Sequence, residues 1–171
     1  MITGGPGTGK SSLIDELILK EFTCMPEISR TITRDAQESG IDQLFLKDPL
    51  LFSQLLLEGR IGQYNTAEKH ENDHVFFDRG IPDIFAYMNY SGTDYPGTFI
   101  DSSIQYRYTK IFMLPPWKDI YKTDNERYES FPQAMRIYEY LLEAYKKVDY
   151  SCVIVPEGSI SERVDFILNS L

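Results

Sequence analysis

The sequence predicts an α/β fold in which helices cover both faces of a parallel β-sheet. Short apolar segments, typical of buried strands, alternate with longer segments of helical periodicity. A glycine-rich stretch also joins the first predicted strand to the first predicted helix. Parallel strands joined by helices place their carboxyl ends at one edge of the sheet, where ligands of such folds bind. We therefore expect a single domain over residues 1–171 with its site at that edge.

The glycine-rich stretch has the pattern G-x-x-x-x-G-K-S and consists of Gly4, Gly5, Pro6, Gly7, Thr8, Gly9, Lys10 and Ser11. Glycines let the backbone bend around an anion so that successive N–H groups point at phosphate oxygens. We expect Lys10 to reach the β- and γ-phosphates and the Ser11 hydroxyl to ligate Mg²⁺, with Ser12 in the same nucleotide-binding set. The motif predicts a P-loop NTPase that binds ATP and Mg²⁺ in a loop that faces solvent when empty.

In the first half of the chain, apolar spacing predicts helices over residues 11–20, 28–39 and 48–68. The predicted strands of this half are residues 1–3, 22–25 and 75–77. Pro26 ends the second strand, because proline has no N–H to donate to a central ladder. Asp48 is the expected N-cap of the third helix, and Pro49 suits its first position.

In the second half, the predicted helices are residues 81–90, 99–107, 131–148 and 159–171, and the predicted strands are residues 108–114 and 151–155. An irregular polar stretch at about 117–130 contains Lys118, Lys122 and Arg127 among acidic residues. We predict that this stretch is a lid over the site.

Charge and hydropathy exclude two classes of partner. The chain has 17 Lys and Arg against 26 Asp and Glu, so its net charge of −9 repels a phosphodiester backbone. It contains no run of about 18 apolar residues and no segment resembling a secretion signal. We expect a cytoplasmic protein that binds neither nucleic acid nor membrane, and the oligomeric state stays open.

Asp78 follows the apolar strand Val75-Phe76-Phe77, so we expect its carboxylate in the same crevice as the phosphate loop. It is predicted to hold Mg²⁺, directly or through water, or to accept a proton from an attacking hydroxyl. The alternative is a cap of the next helix, a role that Asp83 also suits. Arg79 suits bidentate contact with a phosphate or an acceptor, and equally an ion pair with Asp78 or Glu27.

Several segments together resemble a known family: the loop at 4–11, Met25-Pro26-Glu27-Ile28-Ser29-Arg30, the stretch 75–83, Leu114-Pro115-Pro116-Trp117 and Asn125-Glu126-Arg127. The chain resembles the AAA-labelled family of predicted ATPases, small P-loop proteins that are themselves similar to ribosylnicotinamide and deoxynucleoside kinases. The resemblance implies a kinase-like core with a five-stranded parallel sheet, and not a ring-forming motor.

The resemblance also implies roles for residues outside the loop. Glu27 matches the place where deoxynucleoside kinases have a carboxylate that receives the proton of the acceptor hydroxyl. Arg30 is predicted to clamp an anionic group of the substrate or to pair with Glu27. Arg127 is predicted to swing onto the γ-phosphate as charge develops, with a solvated surface arginine as the alternative.

Two functions fit these residues. The first is transfer of the γ-phosphoryl group of ATP to a hydroxyl of a small nucleoside-like acceptor, which two carboxylates at strand ends and a lid support. The second is a nucleotide-dependent binding module or slow NTPase, in which ATP or GTP sets the conformation of the lid. The sequence leaves the acceptor and the choice between ATP and GTP open.

Overall fold

A computed structural model describes residues 1–71, 74–121 and 129–171 of the chain. Its strands are β1 (Ile2–Gly4), β2 (Thr23–Met25), β3 (Val75–Phe77), β4 (Ile111–Leu114) and β5 (Cys152–Ile154). Its helices are α1 (Lys10–Leu19), α2 (Ser29–Glu38), α3 (Leu44–Lys47), α4 (Pro49–Ala67), α5 (Ile81–Ser91), α6 (Thr98–Gln105), α7 (Phe131–Lys147) and α8 (Ile160–Asn169). The predicted α/β alternation is confirmed, and none of the described helices has the length and apolar character needed to span a bilayer.

The strands form two parallel ladders, one with the order β1-β4-β5 and one that pairs β2 with β3. The prediction of one five-stranded sheet is therefore wrong, because the main sheet of the described chain has three strands. The ladders meet at a single parallel bridge between Ile2 and Asp78, beside which the Arg79 N–H donates to the Ile2 carbonyl at 2.9 Å. Arg79 has a φ of 72°, so the chain leaves the extended conformation before a longer ladder forms.

One strand and one connection differ from the sequence expectation. β4 begins at Ile111 rather than at 108, because the Tyr108 N–H donates to the Tyr150 hydroxyl at 2.8 Å and not to a neighbouring strand. The region expected to connect the second and third predicted helices contains α3, which has four residues and buries Leu44. The predicted start of α4 is confirmed, since the Leu51 N–H donates to the Asp48 carboxylate at 2.9 Å.

The core lies on both faces of the strands, as predicted. Successive strand residues alternate between the two faces: Phe76 and Phe112 pack on one side, and Phe77 and Met113 on the other. The first side is covered by α1 and α8, through Leu13, Leu17, Val164 and Ile167. The other side is covered by α4, α5 and α7, whose buried side chains include Leu56, Phe85, Ile137 and Tyr145. Strands buried on both faces explain the continuous apolar runs in the sequence.

Gly4, where β1 enters the loop, has no room for a side chain. A Cβ at Gly4 would lie 2.8 Å from the backbone oxygen of Leu114 and 2.9 Å from its Cβ. We expect Gly4→Ala to lower the free energy of unfolding by about 1–3 kcal/mol. The clashing atoms belong to a buried strand, whose backbone can shift only at the expense of its own packing.

The matched control is Gly62→Ala, on an exposed part of α4 where a Cβ would meet nothing within 4 Å. We expect that variant to gain up to about 1 kcal/mol from helix propensity. Urea unfolding of both variants measures the difference, and equal unfolding midpoints would show that the approach to Leu114 does not constrain position 4.

Candidate functional site

The loop between β1 and α1 depends on glycine at two positions. Gly7 and Gly9 have φ values of 71° and 78°, in the left-handed region that residues with a Cβ avoid. A Cβ at Gly7 would also clash with the ring of Tyr121. The Thr8 hydroxyl donates to the Gly5 carbonyl at 3.0 Å, which holds the turn closed. The backbone therefore has the curvature that directs N–H groups towards an anion.

The expectation that the empty loop faces solvent is wrong. Thr8 is 1% exposed and Lys10 is 6% exposed. The Tyr121 ring lies against Gly7, and Nη1 of Arg163 donates to the Thr8 carbonyl at 3.1 Å. Arg163, in α8, is itself 4% exposed, and sequence reasoning missed it. The only sequence feature that distinguishes Arg163 is its position beside Val164, where a charged residue interrupts the apolar stripe of a helix. Ser11 and Ser12 remain exposed at the start of α1.

Lys10 and Asp78 form a buried ion pair in which Lys10 Nζ donates to the Asp78 carboxylate. Both are at least nine-tenths buried. Burial lowers the pKa of Lys10, and nearby Arg79 acts in the same direction, while Asp78 and Glu27 oppose the shift. The structure therefore places the strand-end carboxylate against the loop lysine, at the point where the sequence predicts phosphates and Mg²⁺.

Capping of α5 falls to Asp83, not to Asp78. The Asp83 carboxylate accepts the Gly80 N–H at 3.0 Å and also a hydrogen bond from the Tyr145 hydroxyl. Thr3, in β1, donates to the same carboxylate at 2.5 Å. Asp83 is 1% exposed. Its hydrogen bonds therefore connect β1, the start of α5 and α7 inside the protein.

Arg79 connects the ends of three elements. Its Nε donates to Glu27, after β2, at 3.1 Å, and its Nη1 donates to the Gly4 carbonyl at 3.1 Å. Nη1 also lies 3.4 Å from Asp83. Burial by itself lowers the pKa of Arg79. The opposing effect is larger, because nearby acidic groups raise the pKa well above its ordinary value; these groups are Tyr87, Glu27, Asp83 and Asp78. Arg79 therefore remains charged and fixes the position of Glu27.

Glu27 is ionised at neutral pH. Burial by itself raises the pKa of Glu27. The opposing effects are larger: the positive charges of Arg79 and Lys10, and a 2.7 Å hydrogen bond from the Ser29 hydroxyl, lower the pKa to about 2. The carboxylate therefore accepts hydrogen bonds and donates none.

A cavity of about 700 Å³ begins at the phosphate loop, passes Glu27 and Arg79, and extends between α2, α3, α4 and α5. One side, which we call the α2–α4 wall, consists of Ser29, Arg30, Thr33, Arg34, Gln37, Phe45, Leu46, Pro49, Phe52, Ser53, Leu56 and Arg60. The facing side consists of Asp83, Ile84, Tyr87, Met88, Tyr90 and Ser91 from α5. The cavity thus joins a candidate phosphate site to a chamber with aromatic and cationic lining.

The sequence did not indicate most of the α2–α4 wall. Phe45 lies in α3 with its ring centroid 6.2 Å from that of Phe52, and nothing in the local pattern distinguishes it. Arg60 is 3% exposed, and its Nη1 donates to the Gly80 carbonyl at 2.8 Å. The sequence could have indicated that Arg60 is buried, because it follows Leu56 by one helical turn and so lies on the apolar face of α4. Arg30 was predicted, and it lines the wall.

Arg127 lies outside the described residues, as does the segment 122–128 of the predicted lid. Its predicted contact with the γ-phosphate therefore stays a prediction. At the edges of that segment, Tyr121 packs edge-on against Phe131 with ring centroids 5.4 Å apart, and Glu129 lines the cavity.

The oxygen donors at the site fit Mg²⁺ bound together with a nucleotide. Among residues 1–71, 74–121 and 129–171 there is no group of three or more His, Cys, Asp or Glu side chains that could hold a metal ion. Mg²⁺ commonly uses one or two protein oxygens and completes its shell with phosphates and water. The Asp78 carboxylate and the Ser11 hydroxyl match that pattern.

Comparison with known proteins yields a family model, described as AAA domain, that matches residues 1–163. No curated protein matches the chain. The structure is similar to deoxyadenosine kinase from M. mycoides with the products dCMP and a flexible dCDP bound, at 18% identity and a TM-score of 0.71, covering 99% of this chain and 96% of that one. The dATP-bound form of that kinase matches over the same shares at 16% identity and a TM-score of 0.63. TM-scores of this size over nearly the whole of both chains establish a shared fold.

Proposed function

This chain belongs to the AAA domain family, and on that premise we propose that it transfers the γ-phosphoryl group of ATP to a hydroxyl of a small nucleoside-like acceptor. One observation supports this proposal most: the cavity continues from the phosphate loop past Glu27 and Arg79 into a chamber large enough for a second substrate. Aromatic side chains such as Phe45, Phe52 and Tyr87 line that chamber, and flat rings suit a base or similar ring. The shared fold with a deoxyadenosine kinase agrees with this class of acceptor.

In this proposal the N–H groups of the loop and Lys10 hold the phosphates of ATP. Ser11 and Asp78 are the residues that would hold Mg²⁺, which would neutralise charge on the phosphate oxygens when bound. For Lys10 to reach the phosphates, its ion pair with Asp78 must open, and both side chains then gain new partners. The binding of nucleotide with metal thus replaces one buried pair by two charge-assisted contacts.

The transfer step forms a bond between the acceptor hydroxyl oxygen and the γ-phosphorus and breaks the bond from that phosphorus to the bridging oxygen, so ADP leaves. The hydroxyl proton passes to a carboxylate, with Glu27 and Asp78 as the two candidates. A pKa of about 2 makes Glu27 a weak base. Loose phosphoryl-transfer transition states need little basicity, so an ionised Glu27 acts mainly by orienting the hydroxyl.

The second candidate function is a nucleotide-dependent switch or slow NTPase that uses ATP or GTP. The observation that favours it is the Lys10 and Asp78 pair, which supplies a closed state that nucleotide must open. In that case water, rather than a bound hydroxyl, attacks the γ-phosphorus.

ADP release from ATP, measured with and without a panel of nucleosides, separates the two functions. The kinase proposal expects turnover that rises with acceptor concentration and yields a phosphorylated nucleoside. Slow ADP release that no acceptor accelerates would reject the kinase proposal in favour of the switch.

Glu27→Gln should impair the acceptor side of the reaction. We expect a loss of about tenfold or more in kcat/KM for the acceptor, since the amide cannot accept a proton or hold Arg79 by charge, while ATP binding changes less than about twofold. The matched control is Glu38→Gln, an exposed carboxylate near the end of α2 that does not line the cavity.

Acceptor kinetics and unfolding, both measured over a range of pH, test the charge state of Glu27. Because its folded pKa of about 2 lies below the ordinary value, Glu27 stays charged throughout neutral and mildly acidic pH. Its contribution to stability is fully present above the ordinary carboxyl pKa and is lost progressively as the pH falls from there through about 2. Weakened ATP binding with normal acceptor kinetics in Glu27→Gln would show that Glu27 does not act in the acceptor pocket.

A further inference from the structure

We propose that Arg163, in α8, is a positioning residue of the phosphate loop. Its guanidinium orients the peptide between Thr8 and Gly9 and adds positive charge next to the loop. The proposal rests on the proposed function, because it concerns the loop that would hold ATP in that reaction. It assigns a part in nucleotide binding to a helix that packs on the opposite face of the strands from α4 and α5, which line the acceptor chamber.

The first observation is the contact between Arg163 and the loop. Nη1 donates to the Thr8 carbonyl at 3.1 Å, although 155 positions separate the two residues. The same nitrogen would lie 2.9 Å from a Cβ at Gly9, so it occupies space that a side chain at this position would need. Gly9 has a φ of 78° and immediately precedes Lys10. Arg163 therefore contacts the loop directly beside the residue that leads into its lysine.

This hydrogen bond constrains the orientation of one loop peptide. The peptide between Thr8 and Gly9 is planar and trans, so its carbonyl and its N–H point in opposite directions. A donor that holds the Thr8 carbonyl from α8 therefore turns the Gly9 N–H away from α8. Phosphate loops bind anions through successive N–H groups that form a concave site, and a flipped peptide would present a carbonyl oxygen instead. Arg163 thus fixes the direction of a group on which anion binding depends.

The second observation is the burial of the guanidinium in an otherwise apolar part of α8. Arg163 is 4% exposed, and its neighbours Val164 and Ile167 pack in the core beside the strands. Its Nε has no hydrogen-bond partner in the described part of the chain. A buried charge and a buried donor without a partner both cost stability. Packing alone therefore does not account for an arginine at this position.

The third observation concerns the charge of Arg163. Burial lowers the pKa of the guanidinium, while the negative charge of Glu157 acts in the opposite direction. Arginine remains charged in proteins, because its ordinary pKa lies far above neutrality. Cζ lies 6.0 Å from the ring centroid of Trp117, so the cation also faces an aromatic ring. A positive charge held in the interior next to the loop favours an anion in that loop.

A positioning role and a purely structural role of Arg163 predict different effects of its replacement. If the side chain only packs α8 against the loop, its loss should lower stability and leave phosphate affinity nearly unchanged. If it positions the loop, methionine should weaken phosphate binding while the protein stays folded. Methionine is unbranched and adapts to irregular space, and it removes a buried charge that is costly to keep.

Equilibrium binding to the full chain, measured by titration calorimetry with Mg²⁺, tests this proposal. The probes are ATP and inorganic tripolyphosphate, which has the phosphates without the ribose or the base. We expect Arg163→Met to weaken the binding of both probes by about tenfold or more, as the loss of one charge-assisted contact allows. Arg163→Lys keeps the charge and one donor, so it should bind both probes more tightly than Arg163→Met does. In turnover assays the KM for ATP should rise by a similar factor, while the KM for the acceptor changes less than about twofold.

Ile167→Val is the matched control, because it removes one carbon from the buried stripe of the same helix and leaves Arg163 in place. It should lower the midpoint of urea unfolding and keep both affinities within about twofold of wild type. Urea unfolding also checks that Arg163→Met is folded, and Arg163→Gln replaces that variant if it is not. Failure of both variants to fold would assign Arg163 a structural role and overturn the proposal.

Three binding results would also overturn the proposal. They are unchanged affinities in Arg163→Met, a loss of affinity confined to ATP, and no binding of tripolyphosphate to the wild type. The second of these results would mean that Arg163 acts on the base or the ribose and not on the phosphates.

Failure of this inference differs from failure of the proposed function. Acceptor-dependent phosphorylation by the wild type, together with unchanged affinities in Arg163→Met, would reject the positioning role and retain the kinase. Weakened binding of both probes in Arg163→Met, in a protein whose ADP release no acceptor accelerates, would retain the positioning role and reject the kinase.

Discussion

Lys10→Ala is expected to lower ATP affinity and turnover by a factor of about 100 or more. Lys10 is the loop's one lysine, and the sequence pattern directs it at the β- and γ-phosphates, where removing a comparable charge-stabilising donor costs about two to three orders of magnitude. Measurements of ATP binding by calorimetry and of ADP release provide the test. Lys20→Ala, at the exposed C-terminal end of α1 and away from the loop, is the control for loss of one positive charge.

The same variant should also be less stable. Lys10 is buried against Asp78, so alanine leaves a buried carboxylate without its partner, a change that costs about 3–5 kcal/mol in comparable pairs. The double variant Lys10→Met/Asp78→Asn removes both charges and should recover most of that stability without recovering activity. A folded Lys10→Ala protein with wild-type ATP affinity would show that the loop does not bind phosphate through this lysine.

Asp78→Asn should lower Mg²⁺-dependent turnover by a factor of about 100 or more. The amide keeps the shape of the side chain but loses the charge that a metal contact or a proton acceptor requires. Binding of ATP without metal should change in the opposite direction and tighten a few-fold, because Lys10 loses its competing partner and the phosphates become its counter-charge. This opposite response to metal distinguishes a functional Asp78 from a structural one.

Asp165→Asn, on the exposed face of α8, is the control for loss of one negative charge. A rate for Asp78→Asn within threefold of wild type in the presence of Mg²⁺ would assign the proton to Glu27 and leave Asp78 as a support for Lys10. Unfolding measurements on Lys10→Met, on Asp78→Asn and on the double variant Lys10→Met/Asp78→Asn give the coupling energy of the pair.

The parts of the site that the sequence predicts are those set by local pattern. The glycines at 7 and 9 need positive φ, and lysine and serine follow at fixed spacing, so the loop is encoded within one short segment. The position of Asp78 is likewise encoded locally. An apolar run that ends in a carboxylate indicates a buried strand and places that carboxylate at the carboxyl end of the strand. The position of α4 also follows from its own cap, Asp48 and Pro49.

The structure alone revealed how these segments meet. The two ladders share one bridge because Arg79 takes a left-handed conformation, which no periodicity indicates. Lys10 is buried against Asp78, 68 positions away, and Tyr121 and Arg163 lie against Gly7 and Thr8 of the loop. Burial is a property of the packed whole, so a pattern of neighbours along the chain cannot report it.

The amino-acid sequence by itself therefore determined the fold class, the phosphate loop and the carboxylates at the strand ends, since each depends on residues adjacent in the chain. Only the tertiary structure decided that Glu27 is held ionised by Arg79 and that three arginines share the wall of one chamber. Charges act through space, and the distances between Arg30, Arg34 and Arg60 are set by the packing of α2 against α4. That packing depends on the shapes of both helices at once, which no single segment encodes.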